Sequence, residues 1–168
     1  SCECEKCRNT LARLQASGDV TAEAFYLSSL TDLYSKLYEE TKKSAPDLAI
    51  AAHIYPVYLP EILYGDRVCV DYCGETVAWF FQPHWSFDKI RRYVWKTLNA
   101  PNQCQPAEAM PMIGFYNDGR FSRDVKDPER LKNEINILKK QGAKHFMMCE
   151  LGHLLRNAAA MRALKESL

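Results

Sequence analysis

No run of apolar residues in this chain approaches the roughly 18 to 20 needed to cross a bilayer, and the opening stretch, Ser1 to Arg8, lacks the apolar segment of a signal peptide. A soluble chain with no membrane partner is expected. Nor is there an excess of either charge: 22 Lys and Arg face 21 Asp and Glu, a formal charge of +1. A basic face for a phosphate backbone is therefore missing, and nucleic acid is not an expected partner. Neither GxGxxG nor GxxxxGK[ST] occurs after any strand-like run, which removes the dinucleotide and P-loop nucleotide readings. A disulfide framework is also disfavoured. The 7 cysteines (2, 4, 7, 69, 73, 104 and 149) are odd in number and scattered over a chain too large to need staples. Cys69 and Cys149 lie in apolar runs, where a thiol behaves as a small hydrophobe. A reducing, cytoplasmic compartment is the corresponding expectation. The chain opens without Met, directly in a cysteine motif, which suggests a processed or trimmed polypeptide.

What is present is ordinary globular composition, 47% hydrophobic and 26% charged over 168 residues, enough for a single domain with one core. The first helix is expected to start within the cysteine motif and run to about Gln15, stopped by Ser17-Gly18-Asp19. Thr21 reads as the N-cap of a longer helix carrying Tyr26, Leu27, Leu30, Leu33, Tyr34 and Leu37 on one face, ended by Pro46. Four short apolar runs follow, at 48–55, 67–73, 110–117 and 145–151, each bounded by Pro, Gly or polar residues, as expected of strands buried on both faces. Helical periodicity separates the later ones: from Ser86 or Asp88 to Asn99, from Asp127-Pro128 to Gly142, and from about Leu154 to Lys165. Strands alternating with helices imply parallel βαβ units, so the expected fold is α/β: four βα units around a parallel sheet.

In such folds functional groups gather at the carboxyl ends of the strands. The residues at those ends are His53 and Tyr55; Asp71, Cys73 and Glu75; Tyr116, Asn117 and Asp118; and Glu150 and His153. Paired carboxylates are what glycoside hydrolysis needs, one to protonate the leaving oxygen and one to attack or to activate water. Asp71 and Glu150 are the first candidates, because an ionised group in an apolar run is costly without a partner or a function, and Glu75 and Asp118 come next. Each acid could instead cap a helix or solvate a loop, and Asp118 before Gly119 is also a turn dipeptide. The aromatic stretch after the second strand, with Trp79, Phe80, Phe81, His84 and Trp85, could stack on sugar faces, or could equally lid a core or form a subunit contact. His53 and His84 could hydrogen-bond hydroxyls. Cys2, Cys4 and Cys7 form CxCxxC, able to meet around one soft ion such as Zn2+ if a fourth ligand, for example Cys73 or His153, comes from elsewhere.

Several features in order resemble the bacterial glycoside-hydrolase-like (β/α)8 barrels related to α-glucuronidases. They are the stretch Cys2-Glu-Cys-Glu-Lys-Cys-Arg8, the helix from Thr21 to Ser44 ending at Ala45-Pro46-Asp47, the strand Ala51 to Tyr55, and Val68-Cys-Val-Asp-Tyr-Cys73. The resemblance implies half of a (β/α)8 (TIM) barrel and a carbohydrate partner. Asp71, Glu150, Glu75 and Asp118 would be its strand-end acids, with His53, Tyr55, Trp79, His84, Trp85 and Tyr116 lining the sugar site. A half-barrel exposes sheet edges, so a homo-oligomer or a separate barrel half is expected beside it. Two alternatives stay open: a non-catalytic binding or oligomerisation module, and a metal-binding protein using the CxCxxC motif.

Overall fold

Two helices precede the first strand. In the computed structural model, which describes residues 4–18, 20–54, 69–99, 107–117 and 126–168, helix α1 (Glu5–Ala16) begins inside the cysteine motif with Cys4 at its N-cap. Helix α2 (Ala22–Ser44) starts where the sequence indicates, the Thr21 hydroxyl accepting from the Ala24 amide at 3.2 Å. Strands β1 (Ala51–Ile54) and β2 (Tyr72–Glu75) follow, then helix α3 (Phe87–Asn99). The third strand-like run is β3 (Glu108–Ala109) and β4 (Met112–Gly114), interrupted at Met110-Pro111, where proline has no amide to give the ladder. Helix α4 (Pro128–Lys140) is capped by the Asp127 side chain with proline in its first turn, and β5 (Met147–Cys149) comes after it. The last helical segment is two helices, α5 (Leu151–Leu155) and α6 (Ala158–Ser167), because the Asn157 side chain accepts from the Ala160 amide at 2.9 Å and starts a new helix there.

The second strand departs from its expected bounds. Gly74 reads as a stop in the sequence, yet it lies inside β2: a Cβ there would stand 1.7 Å from the Met110 carbonyl oxygen, so only glycine lets the two backbones approach. The strand consequently ends at Glu75, and Asp71 precedes it instead of ending it. Tyr55, Asp118 and Cys2 lie outside the described residues.

All strand pairs are parallel. β1 pairs with β2 and β2 with β3, while β4 pairs with β5 and a parallel bridge from Thr76 to Met112 joins the two ladders. The Met110 amide donates to the Cys73 carbonyl and the Val77 amide to the Met112 carbonyl, both at 2.9 Å, so β3 and β4 lie along the same neighbour. Spatial order thus follows chain order. Because side chains alternate along a strand, Val77, Ile113, Phe115 and Met148 face the helices and pack with Ile90, Val94, Leu131, Ile135 and Leu138 in the main core. The opposite face carries His53, Thr76 and Met112. A smaller cluster of Ala52, Val70 and Cys73 holds Tyr34 of α2 beside β1.

Candidate functional site

Asp71 is the residue whose surroundings say most about its work. Its Oδ2 accepts from the Lys42 ammonium at 2.8 Å and from the Ile50 amide at 2.7 Å, and its Oδ1 accepts from the Tyr38 hydroxyl at 3.1 Å. Partial burial pushes the carboxyl up, but the bonds from Lys42, Ile50 and Tyr38 together outweigh it and hold it below the ordinary 3.8. Lys42 also donates to the Leu48 carbonyl at 2.7 Å. This acid ties α2 to the amino ends of β1 and β2. Glu75 does end β2, but it is buried and accepts from Thr97 of α3 at 3.5 Å, on the helix-facing side of the sheet. Glu150 follows β5 directly, is exposed, and stands at the N-cap of α5 without capping it. The neighbouring Cys149 thiol, raised by burial and then by this carboxylate, is 3.9 Å from its Oε1.

Aromatic rings cross the carboxyl ends of the strands as a connected series. The Trp85 and Trp79 rings are stacked 6.4 Å apart, Trp79 meets Phe81 edge-on at 5.9 Å, Phe81 meets Tyr116 at 4.8 Å, and Tyr116 meets His153 at 4.5 Å. Phe80 lies buried beneath, 4.5 Å from Phe81 and packed on Gly114, where an added Cβ would come within 2.7 Å of its ring. The loop that carries Trp79, Phe80, Phe81 and Trp85 includes a cis peptide at Gln82-Pro83. At one end Lys89 holds its ammonium 3.7 Å over Trp85. At the other, His153 Nδ1 lies against the Asn117 carbonyl, with the Asn117 amide 3.3 Å from the same nitrogen. Nδ1 accepts when it meets the Asn117 amide and donates when it meets the carbonyl, so the ring tautomer decides which of the two bonds is made, and with it the role of Nε2.

His53 projects from the same side of the sheet as Thr76, with Nε2 3.0 Å from the Thr76 hydroxyl, and burial lowers its pKa below 6.5. Behind the aromatic loop lies a charged group with no clear signal in the sequence. Lys126 and Glu134, both fully buried, are paired at 2.7 Å, and Glu134 also accepts from Arg130 at 3.0 Å. Burial pushes Lys126 down and Glu134 up, while the shared contact with two cations favours the ionised carboxylate. Arg130 donates onward to the Trp85 carbonyl and lies over the Phe87 ring, fixing the aromatic loop to α4. Spacing marks Arg130 and Glu134 as an ordinary surface pair one helical turn apart, and nothing local reveals that Glu134 is covered.

The chain matches no family model, no curated protein and no solved structure. Of the residues singled out in the sequence, Trp79, Trp85 and Tyr116 meet in one surface, His84 lies within the loop that forms it, and Glu150 follows the strand beside it. Asp71 stands at the other end of the sheet and Glu75 on its helix-facing side. Phe81 and Asn117, also named in the sequence, lie in that surface, and Thr76 is the addition that the sequence did not mark, through its contact with His53. Cys4 and Cys7 lie at the start of α1, and among the described residues no group of three or more His, Cys, Asp and Glu is placed to hold a metal ion. No helix there is long and apolar enough to cross a membrane. A cavity of about 300 Å³ lies between α3 and α4, lined by Phe87, Arg91, Asn133 and Lys140 among others and by none of the ring residues Trp79, Phe81, Trp85, Tyr116 and His153.

Proposed function

We propose that the carboxyl-end face of the sheet binds a carbohydrate, and that the chain supplies half of a glycoside-hydrolase-like (β/α)8 barrel. The observation that carries this reading is the unbroken series of rings from Trp85 through Trp79, Phe81 and Tyr116 to His153. A pyranose offers C–H groups on its faces and hydroxyls at its rim. Half-buried rings suit the first, and the His153 imidazole, whose Nε2 donates or accepts according to its tautomer, suits the second. On this reading Glu150 and Asp118, which follow neighbouring strands, are the acid pair, and Asp71 and Glu75 serve the scaffold.

The barrel reading is supported by a parallel sheet whose spatial order follows its chain order, as in a singly wound barrel and unlike a doubly wound sheet. β1 and β5 end that order. Leu33 and Leu37 of α2, on the β1 side, are 53% and 56% exposed, and Leu151 and Leu155, after β5, are each 60% exposed. This is apolar surface that a second copy or a separate barrel half would cover.

Titration calorimetry against a glycan panel, with turnover of aryl glycosides, tests the proposal. Trp79→Ala should weaken binding by about tenfold, or roughly 1.4 kcal/mol. Glu150→Gln should abolish turnover and leave binding intact. A folded wild-type chain that binds no glycan would sink the reading.

A further inference from the structure

Both ring nitrogens of His84 are buried without a hydrogen-bond partner. The backbone carbonyls of Trp79 and Phe81 lie close enough to favour a proton on the ring, yet neither reaches it with ordinary hydrogen-bond geometry. Lys126, just before α4, and Arg130, within it, bring two positive charges to bear on the ring. The carboxylate that could offset them, Glu134, is shared between both cations at 2.7 and 3.0 Å. From α3, the Lys89 ammonium is held over Trp85, the next residue in the chain. Burial first, and then Lys126 and Arg130, push the imidazole below its ordinary 6.5, so His84 is neutral at pH 7. A neutral ring already leaves a donor and an acceptor unpaired. A charged one would place a partly desolvated cation within the field of two others.

The loop bearing His84 is also the loop bearing the aromatic face. Trp79, Phe80 and Phe81 precede the histidine, and Trp85 follows it. Lys126 and Glu134 are fixed in the interior, whereas the loop is held at its rim, by Phe80 on Gly114, by Trp85 against Tyr93 and the edge of the main core, and by the Arg130 bond from α4 to the Trp85 carbonyl. Outward movement of the loop is therefore the relief open to a protonated ring. We propose that His84 makes the aromatic face acid-sensitive: when its ring takes up a proton, residues Trp79 to Trp85 leave their packing on the strand ends and the face is withdrawn. The inference rests on the carbohydrate reading only for its consequence, loss of ligand at low pH. The loop movement itself needs no ligand.

Tryptophan fluorescence followed from pH 8 to pH 4, alongside far-ultraviolet circular dichroism, tests it. The wild-type chain should show a reversible emission change with a midpoint below 6.5 while its helical signal persists. His84→Phe, which puts carbon where the unpartnered nitrogens were, should lose that step. His53→Asn and His153→Gln should keep it. Arg130→Met removes one opposing cation and one anchor of the loop, and both losses should move the midpoint upward; His84→Gln, which cannot titrate in this range, should lose the step as His84→Phe does and serves if that variant fails to fold. Absence of the step in the wild type, its persistence in His84→Phe, or an unmoved midpoint in Arg130→Met overturns the proposal. Glycan affinity should fall by about tenfold below the midpoint in the wild type and not in His84→Phe. If no glycan binds at any pH while the step behaves as described, only the carbohydrate reading fails.

Discussion

Asp71 and Glu150 look alike in the sequence, single acids in apolar runs, and their surroundings separate them. Asp71 accepts from Lys42, Ile50 and Tyr38, with the Lys42 and Asp71 side chains only 24% and 18% exposed. Asp71→Ala should cost roughly 2 kcal/mol in urea unfolding, since it strips an acceptor from a charge-assisted bond and two others. Glycan binding by the folded variant should be unchanged, and a loss there would return Asp71 to the site. Glu134 is the more demanding case. Replacing it with Leu leaves Lys126 buried and uncompensated, so a loss of about 3 to 5 kcal/mol is expected in the same measurement. The burial of an acid in an amphipathic helix depends on what the rest of the chain lays over it, and no local spacing carries that information.

At the level of elements, helix boundaries were legible because their signals are local. Thr21 and Asp127 cap α2 and α4, and Pro128 occupies the first turn of α4. Strand boundaries were less so. Gly74 looked like a terminator and proved to be a contact point, because the Met110 carbonyl occupies the space its Cβ would need. Gly114 plays the corresponding part beneath the aromatic loop. Gly114→Ala drives a Cβ to 2.7 Å from Cδ1 of the Phe80 ring and 2.8 Å from its Cβ, so that swinging the ring does not by itself clear the contact. A cost of about 1 to 3 kcal/mol is expected, and because Phe80 supports Phe81 and Trp79, the change should appear in tryptophan emission as well as in the melting temperature. Unchanged emission would mean that the aromatic face does not depend on this contact.

For the molecule as a whole, stability should fall with pH in two stages. His84 and His53 both have folded pKa values below the ordinary 6.5, so the unfolded chain binds more protons below that pH and stability declines from there downward. Asp71 is held below 3.8, so its contribution is present above that value and is lost as pH falls through its folded pKa. Urea midpoints measured between pH 8 and pH 3 check both stages, and a flat profile from pH 7 to pH 5 would contradict the first. The amino-acid sequence by itself determined the alternation of helices and parallel strands, the caps, the single aromatic stretch and the identity of its rings, because periodicity, turn chemistry and composition act over a few residues. Only the tertiary structure decided that Asp71 is bound by Lys42, Ile50 and Tyr38, that the rings line up from Trp85 to His153, and that both ring nitrogens of His84 are buried without a partner. Those facts depend on distances between segments far apart in the chain, fixed by how strands pair and what the helices cover.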